Sequence, residues 1–334
     1  MDAQIKPYTT INQQIDLLKS RGMLIDPAEA QQWLSYVGYY RLSGYWYICR
    51  TENPASTGQR TPIRDDTFQP NTDFSDIVKL YEFDRKLRTL VHDGIERVEI
   101  AGRTALAETL GAMGPLAFYQ RDTFRITPRK EFDHYQLIST VTGRISRSLN
   151  SRERTSVHHN VEKYGVLLAP WVLADVLDFS DMSKTYSMLK TTEQEKIADL
   201  LGFDVSSIRR TSNQNSAYRD AHPLASVLRQ LTVLRNKAAH HARIWNCSLP
   251  PVGTPILRQI PQLSSLPLPQ SEKLYGALAC IAYTLEAVSP GSSWSKNVAN
   301  LVQDNLADIP FLTESQMGFP NRWEQDPLWK LHTP

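Results

Sequence analysis

Residues 73–110, DFSDIVKLYEFDRKLRTLVHDGIERVEIAGRTALAETL, decide the fold class of this chain. Apolar side chains recur there every three or four residues, the spacing that gathers them on one side of an α-helix. They are Ile77, Leu80, Leu87, Val91, Ile95, Val98, Ala101 and Ala105. The pattern predicts one long helix, which Gly111, Gly114 and Pro115 end.

The opposite side of this predicted helix is charged. Its members, again three or four residues apart, are Arg85, Arg88, His92, Glu96, Glu99 and Arg103. Such a row is typical of a solvated helix surface with ion pairs between successive turns. If the row lines a cleft instead, it supplies carboxylates and cations to a site.

The remainder of the chain also favours helices. Segments with helical spacing lie at about 10–19, 27–37, 128–149, 155–164, 169–189, 193–201, 221–242, 270–288 and 295–306. Asp26 and Pro27 give an N-cap and a first helical position. Residues 51–71 have the composition of a loop or short hairpin, and the proline-rich residues 250–269 predict an extended loop. Because no alternating strand pattern recurs, the predicted class is all-α.

These elements suggest three parts. Residues 1–70 form an N-terminal helical extension and loop, 71–310 a helical domain, and 311–334 an irregular C-terminal tail held by Trp323 and Trp329. Within the extension, the aromatic run at residues 38–47 predicts a packed seam between small helices, with a platform for RNA bases as the alternative.

Composition excludes several classes of protein. With 41% hydrophobic residues in 334, the chain can bury a core, so it is not a disordered protein. The net charge of +2 means that any nucleic-acid contact must come from local clustering of basic residues. Three scattered cysteines argue against a disulfide framework and a zinc site, and no magnesium-type carboxylate cluster is visible. We therefore expect no metal and no cofactor.

The N-terminal sequence and the hydropathy pattern bear on localisation. Residues 1–8 lack an apolar signal region, and no stretch approaches the roughly twenty apolar residues of a membrane helix. We expect a cytoplasmic protein without membrane contact.

The segment Leu234–Asn246, LRNKAAHHARIWN, carries the chemistry. Arginine offers an always-charged fork shaped for a phosphodiester, and histidine can take and give a proton near neutral pH. On a helix, Asn236 and His240 point the same way, whereas Arg235 lies about 140° from His240. These side chains therefore fit around a groove better than around one atom, for example a groove shared by two copies of the chain.

A second group, Arg152, Arg154, His158 and His159, offers similar arginine–histidine spacings. For this group a surface explanation is favoured, because no amide follows either arginine.

Several segments together resemble the Abi-like family of bacterial abortive-infection proteins, of the AbiD and AbiF type, within the HEPN superfamily. The segments are 40–46, 83–88, 98–103, 171–186 and 234–246. The resemblance implies a HEPN-like helical bundle with an N-terminal extension. It also implies an Arg-x4-6-His ribonuclease motif in a composite site across a homodimer.

Carried onto this chain, the motif falls on Arg235, Asn236 and His240 as catalytic residues. The supporting or RNA-binding candidates are His241, Arg243, Arg229, Glu99 and Arg103. The implied activity is that of a phage-defence toxin, a metal-independent endoribonuclease whose 2′-OH attack leaves a 2′,3′-cyclic phosphate.

The chain departs from the family pattern at three positions. Asp175 and Ser180 stand where similar sequences often have Glu and Gly, which weakens a catalytic role for Asp175. Ala242 stands where adenylated HEPN partners carry a tyrosine, which argues against a tyrosine-modification switch.

Two other interpretations stay open. The same residues can belong to a non-cleaving RNA-binding or sensor module that holds a small regulatory RNA, with an RNA or protein antitoxin as partner. Alternatively, Asn236 and His240 can bond loop carbonyls as a purely structural cap of the helix end.

Overall fold

The computed structural model describes residues 6–56, 63–125, 133–204, 208, 222–268 and 272–329. The chain divides into two compact units. The first comprises Met1–Leu87 with Asn300–Glu314, and the second comprises Arg88–Ala299 with Ser315–Pro334. The division of the sequence at residues 70 and 310 stays a prediction.

The all-α prediction is confirmed, because helices dominate the described residues and one two-stranded sheet accompanies them. The helices are α1 Ile11–Ser20, α2 Pro27–Tyr36, α3 Tyr39–Trp46, α4 Phe74–Met113, α5 Asp133–Leu149, α6 Ser156–Tyr164, α7 Pro170–Val176, α8 Phe179–Met188, α9 Thr191–Leu200, α10 Pro223–Ala239, α11 Thr254–Leu257, α12 Leu274–Val288, α13 Trp294–Asp308 and α14 Glu314–Met317. Among the helices that the structure describes, none combines the length and the apolar composition that a membrane crossing requires.

The first unit begins with capped helices and a small sheet. Asp26 caps α2 as predicted, because its carboxylate accepts a hydrogen bond from the Glu29 amide at 2.9 Å. Strands β1 (Arg50–Glu52) and β2 (Arg64–Phe68) pair antiparallel, with Arg50 opposite Phe68 and Glu52 opposite Arg64. Of the two forms predicted for this segment, the hairpin is therefore the one observed.

The aromatic run lies mainly on α3 and packs within the first unit. Tyr45 and Trp46 are buried, and the Tyr45 hydroxyl donates a 2.8 Å hydrogen bond to Asp84 of α4. This bond joins two of the segments that carry the family resemblance. The packed-seam interpretation holds for these side chains, whereas Tyr40 is 93% exposed.

The second unit is built around the later part of α4 and around α12. Helix α12 is buried on nearly all sides, which is typical of a core helix. Gly94 lets α13 approach closely, because a Cβ there would lie 2.7 Å from the Trp294 ring. The Trp294 indole N–H donates to the Leu90 carbonyl at 2.7 Å. Helix α10 packs against α8 and α12, and this packing places the motif segment.

Three sequence predictions need correction. The single helix predicted over 169–189 is two helices, α7 and α8, because Asp178 is extended and its carboxylate accepts the Asp181 amide at 3.0 Å as a new N-cap. The predicted extended loop at 250–269 contains α11 and a 3₁₀ helix at Pro261–Leu263, each with proline in its first turn. Helix α10 ends at Ala239, before the predicted end at 242.

Some predicted boundaries lie outside the described residues. These are the helix starts near residues 128, 221 and 270.

The C-terminal segment is held by its tryptophans as predicted, because Trp323 and Trp329 are both buried and their rings meet edge to face at 5.9 Å.

Candidate active site

Helix α10 carries the motif residues Arg235 and Asn236, and its apolar side is buried. An apolar arc of this helix is buried and consists of Leu224, Val227, Leu228, Leu231, Leu234 and Ala238. Burying this arc leaves Arg229 and Asn236 exposed and Arg235 at the margin, with 39% of its side chain accessible. The motif arginine therefore lies on a buried helix while its side chain stays partly accessible.

The end of α10 separates the two histidines. The Ala242 amide donates to the Lys237 carbonyl at 2.9 Å, and the His241 amide donates to the Ala238 carbonyl at 3.0 Å. These two bonds define a Schellman motif, whose left-handed residue is usually glycine. Here His241 takes that conformation, with φ of +56°. His240 is thus the cap residue beyond the last helical turn, and His241 shapes the turn through its backbone.

The chain after this turn is anchored on both sides. Arg88 of α4 is buried, and its guanidinium donates a long hydrogen bond of 3.5 Å to the Ala242 carbonyl. Ile244 and Trp245, two and three residues after Ala242, are fully buried. The short exposed segment that carries His240 is therefore held in place at each end.

Part of the charged row on α4 lines a pocket together with the motif arginine. The pocket has a volume of about 400 Å³ and is lined by His92, Glu96, Glu99, Ile100, Arg103 and Arg235. The cleft interpretation thus applies to this part of the row. The solvated-surface interpretation applies to Arg85, which is exposed and pairs with Glu82 at 2.8 Å.

Glu99 organises the cations of this pocket. It is only 7% exposed, and one carboxylate oxygen accepts a hydrogen bond from Arg103. The other oxygen lies 3.8 Å from Nε of Arg235. Because a buried carboxylate needs such partners, Glu99 holds both guanidinium groups toward one place. Arg235 also donates to the Asn236 side-chain oxygen at 3.5 Å.

The structure brings only some of the predicted site residues together. Glu99, Arg103 and Arg235 line the pocket, and Asn236 contacts Arg235. The other predicted residues do not line it. His240 and His241 lie at the end of α10, Arg229 lies earlier on α10, and Arg243 follows the helix end.

His240 presents a free imidazole. Its side chain is exposed and makes no hydrogen bond or ion pair with any residue that the structure describes. Within the same described residues, Asn236 donates no side-chain hydrogen bond to a loop carbonyl. The purely structural cap therefore finds no support in the observed contacts.

Two polar residues that line the pocket, His92 and Glu96, were not among the predicted site residues. The sequence pattern identified these two residues only as members of the charged row on α4. Their spacing of seven and three residues from Glu99 was the available signal, because such positions share one side of a helix. Nothing in the sequence indicated which part of the row meets α10.

The second arginine–histidine group has a structural explanation. The Thr155 amide donates to His158 Nδ1 at 3.1 Å, and His158 Nε2 lies 3.1 Å from the Leu149 carbonyl. Arg154 pairs with Glu162 on the surface. His158 thus serves the start of α6, and the surface explanation holds.

The three cysteines are buried, and burial disfavours the thiolate form of two of them. Burial raises the pKa of both Cys49 and Cys280 to about 12, because a desolvated thiolate is disfavoured. Among the residues that the structure describes, no group of three or more His, Cys, Asp or Glu side chains could hold a metal ion.

Comparison with known families gives one match. The family model for the Abi-like protein matches residues 32–246, which include the aromatic run, the pocket side of α4 and the whole motif segment. The chain belongs to the Abi-like protein family. The predicted resemblance to the Abi-like family is thereby confirmed, and an Abi-like protein is expected to act in abortive infection. No curated protein and no solved structure shows significant similarity to this Abi-like chain.

Proposed function

We propose that this Abi-like protein is a metal-independent endoribonuclease of a phage-defence system. The observation that carries the proposal is the contrast between Arg235 and His240. The guanidinium of Arg235 lies in a pocket beside a second arginine, and the imidazole of His240 is exposed and unengaged. Cleavage of a phosphodiester needs a cation that stabilises the charge on the phosphoryl oxygens, and it needs a group that transfers protons. Arg235 offers the first and His240 offers the second.

The proposed reaction is attack by a ribose 2′-oxygen on the adjacent phosphorus. His240 takes the 2′-OH proton, the O2′–P bond forms and the P–O5′ bond breaks. The products are a 2′,3′-cyclic phosphate and a 5′-hydroxyl, once the leaving oxygen receives a proton. Arg235 stabilises the extra charge on the phosphoryl oxygens, and Asn236 orients the guanidinium or a phosphate oxygen.

The proposal includes a homodimer, because His240 does not line the pocket of its own chain. An isologous pair is the commonest symmetric assembly, and it would let His240 of one protomer serve Arg235 of the other. Arg229 and Arg243 are then proposed to attract the RNA backbone, with His241 nearby. A regulatory RNA or protein antitoxin is the proposed partner that restrains a toxic nuclease.

A second candidate function rests on the separation of Arg235 from His240 within one chain. A single chain holds Arg235 and Arg103 together without His240, an arrangement suited to binding a phosphate without cutting it. As a non-cleaving module, the protein would hold a small regulatory RNA in this pocket.

The deciding experiment incubates purified protein with RNA in EDTA and analyses the 3′ ends of the fragments. We expect cleavage, cyclic phosphate ends, and loss of cutting with retained RNA binding in His240→Ala. Binding without cleavage by the wild-type protein would favour the second candidate. A requirement for Mg²⁺, or 3′-hydroxyl ends, would exclude the proposed chemistry.

A further inference from the structure

The imidazole of His92 lies in the same pocket as Arg235, on the same chain. Its side chain is half-buried, and it makes no hydrogen bond or ion pair with any residue that the structure describes. By contrast, His134 and His158 each have a hydrogen-bond partner. A partly buried imidazole that faces a pocket without a partner is therefore available to a ligand.

The position of His92 suits a substrate that extends along α4. His92 and Glu96 are one turn apart, and His92 lies about 10 Å along the helix axis from Glu99, which holds Arg235. The pocket between them measures about 400 Å³, within the range of small-ligand sites. A nucleotide whose phosphate contacts Arg235 thus has room for its neighbouring atoms to reach His92.

The charges that face His92 favour a role in proton transfer. The pocket presents the carboxylates of Glu96 and Glu99 and the guanidinium groups of Arg103 and Arg235. Glu99 is already shared by the two arginines, whereas Glu96 is exposed and makes no ion pair among the described residues. Glu96 can therefore act as the counter-charge for an imidazolium at His92, one turn away.

We propose that His92 is the general acid of this site and donates a proton to the leaving 5′-oxygen. The inference rests on the proposed endoribonuclease function, and it completes the proton balance of that reaction. His240 of the partner protomer takes the 2′-OH proton, the O2′–P bond forms, the P–O5′ bond breaks, and the 5′-oxygen takes the proton from the His92 imidazolium. The two proton-transfer groups thus come from different chains.

A substrate with sulfur in place of the bridging 5′-oxygen tests this role. A thiolate leaves without protonation, so the loss of a general acid should affect only the oxygen substrate. We expect His92→Gln to cut ordinary RNA about 10²–10⁴-fold more slowly than wild type. The same variant should cut the 5′-phosphorothiolate RNA at nearly the wild-type rate. His240→Ala should be slow on both substrates, because the 2′-OH proton must still be removed.

The matched control is His159→Gln, which changes an exposed histidine on α6 that does not line this pocket. It should leave both rates unchanged, and circular dichroism of each variant checks the fold. Wild-type rates for His92→Gln on both substrates, or equal losses on both, would overturn the role of His92 and leave the nuclease proposal standing. A wild-type protein that cuts neither substrate would overturn the nuclease proposal and this inference with it.

Discussion

The carboxylate of Glu99 on α4 lies 3.8 Å from Nε of Arg235 on α10. The same carboxylate binds Arg103 one turn along α4, so a single buried acid positions two cations. The two helices are far apart in the sequence, and their approach creates the pocket that the motif alone does not form. This relationship makes Glu99 the residue on which the pocket geometry depends.

Replacing Glu99 by glutamine should destabilise the protein. The substitution keeps the shape but leaves two partly buried guanidinium groups without their charge partner, so we expect the free energy of unfolding to fall by about 1–3 kcal/mol. Urea denaturation measures the change. Glu82→Gln is the matched control, because its pair with Arg85 is more exposed and should contribute about 1 kcal/mol or less. Equal effects for the two variants would contradict the organising role of Glu99.

Replacing Arg235 by lysine tests the shape of the cation separately from its charge. Lysine keeps the charge but lacks the planar fork that can contact Glu99 and a phosphate together. We expect RNA cleavage in EDTA to fall by about 10²-fold or more. Arg147→Lys, on the exposed side of α5, should cleave at the wild-type rate. A fully active Arg235→Lys would show that charge alone suffices there.

The sequence predicted the helices better than it predicted the pocket. Apolar spacing was enough for α4 and for the buried arc of α10, because each pattern needs only its own helix. The break before α8 was missed because Asp178, an N-cap, interrupts a segment whose apolar spacing continues past it. The end of α10 was placed too late because His241 occupies a left-handed position that usually announces itself as glycine.

The candidate site shows the same division between local and tertiary information. The rotation of Arg235 away from His240 followed from helix geometry, and of these two residues Arg235 lines the pocket whereas His240 does not. The pocket roles of His92 and Glu96 could not be predicted, because they depend on which turn of α4 meets α10. That meeting is set by packing between residues distant in the sequence.

Replacing His241 by glycine should stabilise the second unit. The left-handed conformation at φ of +56° disfavours a residue with a Cβ by about 1–2 kcal/mol, and glycine removes that penalty. Glycine also has more conformational entropy in the unfolded chain, which offsets part of this benefit. We therefore expect the free energy of unfolding to rise by about 1 kcal/mol or less and the melting temperature by about 2–4 °C at most. Differential scanning calorimetry measures the shift.

The control for this change is the neighbouring residue. His240→Gly should lower the melting temperature, because His240 has φ of −88° and gains nothing from glycine. Finding that His241→Gly melts below wild type would argue against backbone strain at this position.

The buried thiol of Cys280 predicts a pH dependence of stability. Its pKa is raised to about 12 in the folded protein, above the ordinary value of 9.0. The buried neutral thiol therefore contributes its full stabilisation below about pH 9. This contribution is lost as the pH rises from 9 toward 12, because in that range the thiol ionises only in the unfolded chain. The free energy of unfolding should fall by about 1.4 kcal/mol per pH unit for this group. Denaturation at pH 8.5 and 10.5 should show a shallower decline in Cys280→Ala, and identical slopes would refute the assignment.

Mixing two inactive variants tests whether the site is shared between protomers. If Arg235 of one chain works with His240 of its partner, an Arg235→Ala and His240→Ala heterodimer contains one intact site and one site that lacks both groups. Equal mixing after subunit exchange yields heterodimers for about half of the dimers, so about a quarter of the wild-type cleavage should return. A site within one chain predicts no recovery, because every chain in the mixture lacks one group. The measurement is RNA cleavage in EDTA by each variant alone and by the mixture. An Arg235→Ala, His240→Ala double variant mixed with His240→Ala supplies the control, since no protomer then offers His240 and cleavage should stay absent.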